Sequence, residues 1–209
     1  MSKPLPEFVL DRSRLRAEMA AFEDLLGPGE EKELSERRDI LPFFKAHPNL
    51  ASLIGNSFLP AFIFPDRLKT EYGVVGKHAC DLVIGSMRKE VFCVIEFEDA
   101  LRGSVFKPGK RGGEPEWAPR LSHGLNQIVD WIYALNSIRD TRLYSEAFGS
   151  SLARFSAVLV VGRRGHLDDT MRNRLRFRSA TTFHDGKSVY CVTFDDLRDE
   201  FRERLEQIL

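Results

Sequence analysis

Long hydrophobic runs are missing from these 209 residues: no apolar stretch approaches the roughly 18 residues that a membrane-spanning helix needs. An excess of one charge is missing too. Lys plus Arg number 31 and Asp plus Glu number 31, so overall charge gives the chain no pull toward nucleic acid, and only local clustering can supply one. Cysteine is scarce. Its three copies, Cys80, Cys93 and Cys191, sit in strand-like apolar runs with no CxxC spacing. That argues against a disulfide framework or a zinc site and for reduced core thiols in a cytoplasmic protein. The opening Met-Ser-Lys-Pro-Leu-Pro-Glu lacks the apolar centre of a signal peptide. No internal repeat or low-complexity tract occurs. The residues present, 43% hydrophobic and 30% charged, make an ordinary globular balance, enough for one α/β domain or one domain with a small appendage.

The most informative stretch is 79–99. Two runs rich in Val, Ile and Phe flank Ser-Met-Arg-Lys, the signature of a β-hairpin. Side chains alternate along strands. A turn near Met87 and Arg88 therefore places Asp81, Val83 and Gly85 on one face with Phe92, Val94, Glu96 and Glu98. Cys80, Leu82 and Ile84 fall on the other face with Cys93, Ile95 and Phe97. Both faces are largely apolar, as in the middle of an α/β sheet. Buried carboxylates cost several kcal/mol unless paired or bound to metal, so Asp81, Glu96 and Glu98 together ask for a cation, Mg²⁺ or Mn²⁺. The competing reading is that Glu96 and Glu98 lie exposed at a strand end, paired with Arg or Lys.

Around the hairpin, apolar spacing predicts a helix over 10–26, stopped by Gly27-Pro28-Gly29, and a second over 30–47 kinked by Pro42. A helical turn follows at 49–55, and 61–73 reads as a first strand. Residues 102–119 are rich in Gly, Pro and basic side chains and read as a loop, not an element. A helix is expected from Pro119 to about Asn136, strands over 154–164 and 188–194, and helices over 167–180 and 195–208. The fold expected is α/β, a mixed central sheet flanked by helices, with a helical segment over 1–55 and the main domain over 56–209.

In the helix after the loop, His123, Gln127 and Trp131 share one face, and Gln127 is an odd amide among Leu125, Ile128, Val129 and Ile132. Gln127 either points to a polar site or faces solvent, with Trp131 in the core. Candidate phosphate contacts are the basic loop residues Lys107, Lys110 and Arg111, then Arg163 and Arg164, and the row Arg172, Arg174, Arg176 and Arg178. For that helix, a solvated face paired with acids is the simpler reading.

An Asp, then Glu-x-(Lys or Glu) on a strand, then Gln-x-x-x-(Tyr or Trp) on a helix resembles PD-(D/E)XK phosphodiesterases. The residues are Asp81, Glu96-Phe97-Glu98 and Gln127-Ile128-Val129-Asp130-Trp131. Within that superfamily the chain looks most like the nuclease domain of Shedu anti-phage proteins. Ala79-Cys80-Asp81-Leu82-Val83-Ile84, Val160-Val161-Gly162-Arg163-Arg164 and Val192-Thr193-Phe194-Asp195-Asp196-Leu197 add to the likeness, which covers about residues 40–200. The resemblance implies a restriction-endonuclease-like fold, Mg²⁺ or Mn²⁺, DNA cleavage in phage defence and a homo-oligomer. It makes Asp81 and Glu96 metal ligands and gives Gln127 a role in orienting water, metal or substrate. Glu98 stands where relatives usually carry the Lys that positions the attacking water. Glu98 is then either a ligand or base at an altered metal site, or the mark of a degenerate nuclease-fold module that binds nucleic acid or a partner protein without cutting. Lys77, Lys107 or Lys110 are the candidates for the missing positive charge.

Overall fold

The computed structural model describes residues 4–58, 64–75 and 78–209. After a single 3₁₀ turn, α1 spans Leu15–Leu26. The chain continues through α2 (Leu41–Ala46), α3 (Pro48–Ala51) and α4 (Ile54–Phe58). Three strands come next: β1 (Arg67–Val75), β2 (His78–Ser86) and β3 (Val91–Phe97). A two-stranded ribbon, β4 (Phe106–Lys107) and β5 (Glu116–Trp117), leads into α5 (Pro119–Ser137) and α6 (Arg142–Phe148). The chain ends with β6 (Arg154–Val160), α7 (Asp169–Thr181), β7 (Phe183–His184), β8 (Lys187–Val192) and α8 (Phe194–Ile208).

The six-stranded sheet runs in the order β1-β2-β3-β6-β8-β7. Strands β1 to β3 pair antiparallel, β3, β6 and β8 parallel, and β7 antiparallel at the far edge. It is the mixed α/β sheet expected from the sequence. On one face, α1 to α4 and α8 pack against Leu82, Ile84, Cys93, Ile95 and Phe97. On the other, α5 and α6 cover Val83, Phe92 and Val94, while the ribbon, α5 and α7 cover Ala157, Leu159, Val189 and Cys191. Every residue of β3 is buried, which explains why its sequence is apolar on both faces. Residues 1–55, read from the sequence as a helical segment of their own, place α1's apolar stripe (Leu15, Met19, Phe22, Leu26) in the same core as the sheet.

Several local expectations change. The helix predicted over 30–47 begins later. Leu34 forms an isolated bridge with Ala100, and 36–40 make one π-helical turn in which the amides of Asp39 and Ile40 both reach the Ser35 carbonyl. The cause is Pro42, which has no N–H to donate and therefore sits in the first turn of α2 instead of inside a longer helix. The segment 102–119 is not structureless. It folds into the β4–β5 ribbon around a turn in which Gly109 approaches the Glu114 carbonyl so closely that a Cβ would lie 2.1 Å from it. Helix α6 was not foreseen, although Thr141 caps it by accepting from the Tyr144 amide. Residues 61–63 of the predicted first strand lie outside the described residues.

Arg163, just past β6, ties the layers together. Its side chain is 0% exposed, and all five N–H donors are used. It makes a bidentate pair with Asp195 at 3.0 Å on each arm and donates to the carbonyls of Leu26, Gly29 and Lys32. One guanidinium thus fastens the turn after α1 to the first turn of α8. Replacing Arg163 with Met should destabilise the chain by about 3–5 kcal/mol, because Asp195 is left charged and unpaired in the core. Urea unfolding measures this, and a loss under about 1 kcal/mol would show that water reaches Asp195.

Candidate functional site

The register of the hairpin settles which side chains share a face. Val83 pairs with Val94 and Gly85 with Phe92, and both pairs pack toward α5 and α6, while Ile84 and Cys93 pack on the opposite side. The reading from the sequence is correct for these residues. Cys80 departs from it: its thiol joins Tyr72, Val83 and Val94 on the α5 side and donates to the Tyr72 carbonyl at 3.3 Å. Strand β1 is irregular there, with Glu71 at φ 49° and a register shift between Gly73 and Val75, so strict alternation fails at that end of β2.

Asp81 is half-buried on β2, and its carboxylate accepts from the Phe97 amide at 2.8 Å. Glu96, near the end of β3, is 3% exposed, and its Oε2 is buried without a hydrogen-bond partner. Glu98 follows the strand and is 1% exposed. Its Oε1 lies 2.6 Å from His123 Nδ1, and its Oε2 accepts from Arg120 at 3.2 Å. Arg120 also reaches Asp99 at 2.8 Å. Asp99 in turn accepts from the Glu36 amide at 2.8 Å, which brings the π-helical turn to the same place. Helix α5 approaches this closely because Gly124 has no side chain. A Cβ there would lie 2.5 Å from Leu159 and 3.1 Å from Glu98.

Burial and mutual repulsion shape the electrostatics. Desolvation, followed by the charges of Asp81, Glu98 and Glu36, pushes the Glu96 carboxyl well above the ordinary range. Desolvation raises Asp81 as well, against the lowering effect of the Phe97 amide. Glu98 is raised by burial and eased by His123 and Arg120, and Glu36 is raised by burial with Glu98 and Asp99 nearby. These acids feel one another, yet among the described residues no three His, Cys, Asp or Glu side chains converge closely enough to clasp a single metal ion.

The stripe His123, Gln127, Trp131 passes from solvent to core: His123 is exposed, Gln127 half-buried and Trp131 1% exposed. Only His123 bonds to an acid, and Gln127 bonds to none of the carboxylates among the described residues. Of the expected phosphate contacts, Arg163 is a correction, since its five donors are consumed in the core and none reaches a ligand. Arg164 is held by Glu30, Asp196 and Asp199. Lys107 pairs with Glu116 at 3.1 Å, whereas Lys110 and Arg111 are exposed with no ion pair among the described residues. Lys77 lies outside the described residues. Glu36, Asp99 and Arg120 had no signal in the spacing, because their meeting depends on the π-helical turn and on the close approach of α5.

Glu96 holds a proton in the folded state that the unfolded chain releases near its ordinary value of about 4.3. The resulting stability is therefore complete below that value and is lost as pH rises toward the native one. Thermal melts should fall steadily from about pH 5 to about pH 9. In Glu96→Gln the fall should be shallower and stability at pH 8 higher by about 1–2 kcal/mol. An unchanged slope would place the burden on another group.

A sequence profile described as Shedu protein SduA, C-terminal, matches residues 33–198. No curated protein matches the chain.

Proposed function

The chain belongs to the Shedu family, matched over its SduA C-terminal region, and from that premise we propose that it is a metal-dependent deoxyribonuclease of the PD-(D/E)XK type. Family membership points to anti-phage defence; the cutting activity, the metal and the DNA substrate are our reading of the site. The observation that carries it is the orphaned Oε2 of Glu96, buried beside Asp81 in a region already too rich in negative charge. Evolution tolerates such a group where it binds or reacts, and perturbed carboxyls of this kind concentrate at functional sites.

The donor set suits Mg²⁺ or Mn²⁺, hard ions that take one or two carboxylates plus water and phosphate oxygens. Asp81 and Glu96 would hold the ion, which when bound supplies a more acidic water and neutralises charge on the phosphate. Glu98 has a different part. It is paired with Arg120 and His123, which puts a guanidinium and an imidazole beside the position where relatives have Lys. If His123 donates Nδ1–H to Glu98, its exposed Nε2 is left as a proton acceptor at the mouth of the site. Arg120 lies between Glu98 and Asp99 and pairs with both. Gln127, one turn beyond His123, would orient water or substrate. The exposed Lys110 and Arg111 are the loop cations best placed to meet a phosphate backbone, since no protein acid claims them among the described residues.

A second reading, a nuclease fold that binds without cutting, draws support from the pairing of Glu98 with Arg120 and His123 and from the absence of three converging ligands among the described residues. One pair of measurements separates the two. Titration calorimetry with Mn²⁺ should show binding in the native chain and none in Glu96→Gln, and cleavage of linear and circular DNA should fall at least a hundredfold in Asp81→Ala and Glu96→Ala with folding intact. Cleavage that survives both substitutions would end the nuclease assignment. Mn²⁺ binding without any cleavage would favour the binding module.

A further inference from the structure

The ribbon and α7 build a second feature, on residues apart from the carboxylates. Trp117 of β5 stacks on Phe106 of β4, with ring centroids 4.3 Å apart. Two guanidiniums from successive turns of α7 lie on these rings: Arg174 at 4.9 Å from Phe106 and 5.2 Å from Trp117, and Arg178 at 4.7 Å from Trp117. Beside them opens a groove of about 660 Å³ whose other wall is Phe177, a large aromatic left 72% exposed. Thr170, Asn173 and Thr181 complete its rim, and among the described residues no acidic side chain lines it.

The arginines of this chain divide into those an acid claims and those left to other contacts. Arg163, Arg164, Arg172, Arg198 and Arg202 all pair with carboxylates. Arg174 and Arg178 pair with none among the described residues; Arg174 donates to the Pro115 carbonyl, and the buried Nε of Arg178 has no acceptor. A stacked guanidinium with no carboxylate partner among the described residues, next to a bare aromatic ring, suits a ligand that has both a flat π-face and an anionic oxygen.

We propose that this groove binds single-stranded nucleic acid, one unpaired base resting against Phe177 and Trp117 and its phosphate meeting Arg178 and Arg174. Base–aromatic stacking beside backbone-tracking cations is the general way in which unpaired strands are held. Duplex DNA cannot present a base face sideways without first flipping it. A helical protein partner suits the groove less well, because among its lining residues only the two rings are apolar side chains, and the rest are guanidinium, amide and hydroxyl groups. The placement also has a consequence along the chain. Trp117 lies three residues before Arg120 and six before His123, so a strand held here lies at the end of α5 that carries both partners of Glu98.

The proposal concerns binding alone and is tested with divalent cations chelated, so that it stands or falls independently of cleavage. A mixed-sequence single-stranded DNA 12-mer should quench the fluorescence of Trp117, with Trp131, buried in the core, as a constant background. It should bind more tightly than a blunt duplex of the same length. Phe177→Ala and Arg178→Ala, at positions outside the carboxylate site, should each weaken binding about tenfold or more. Their melting temperatures verify folding, and Phe177, being exposed, is the safer of the two. Absence of quenching by the single strand, equal affinity for the duplex, or affinity unchanged in both variants would overturn the proposal.

Discussion

The cost of burying Glu96 is the constraint to which the site's architecture answers. Strand β3 is enclosed on both faces, and its end and the two residues after it carry three acids within four residues, Glu96, Glu98 and Asp99. A carboxylate in such a place must find a proton, a cation or a set of donors. Asp81 finds a backbone amide. Glu98 and Asp99 find Arg120, and Glu98 also finds His123. Glu96 finds nothing on its outer oxygen and keeps its proton. The four acids thus form a gradient of satisfaction, and the least satisfied, Glu96, is the one that lies within β3 itself.

Two arginines solve opposite problems around this arrangement. Arg163 is sealed in the core with every donor used, so it fixes geometry between the turn after α1 and the start of α8. Arg120 sits half in solvent on α5, bridging Glu98 and Asp99 with fewer bonds. Ion pairs of the second kind are weaker and more easily rearranged, because water competes for both partners. A rigid frame and a movable counter-charge are therefore built from the same side chain, and burial alone separates the roles.

Much of the frame was readable in order along the chain. The period-two alternation of Val83, Phe92, Val94 and Glu96 fixes one face of the hairpin, and the pairing of Val83 with Val94 agrees with it. The last helix, expected from 195, begins one residue earlier, at Phe194, where Thr193 and Asp196 cap it. What could not be read are the features made by distant segments. Glu36 comes to the acids because Pro42 delays a helix and leaves a π-helical turn. Arg120 reaches Glu98 because Gly124 lets α5 sit against β6. Arg163 looked like a surface cation in a Gly-Arg-Arg string, and only the position of Asp195 thirty-two residues later shows that it belongs to the core. The ribbon over 102–119 was hidden by its own glycines, which signal a loop but here permit a turn too tight for any Cβ.

In the proposed reading Glu98 is the position on which the chemistry turns, and its partners Arg120 and His123 define its surroundings. A Lys at that place would put one positive charge against Asp81 and Glu96. This chain instead has a third acid, which Arg120 and His123 hold from α5. The positive charge has moved from the strand to the helix. Its source is Arg120, which is about half exposed and has His123 one turn further along α5. A strand-borne Lys is fixed by the sheet. A helix-borne Arg and His depend on how closely α5 holds to β3 and β6, and the ribbon carrying Trp117 leads directly into that end of the helix. The arrangement therefore couples the charge balance of the carboxylates to the docking of one helix end.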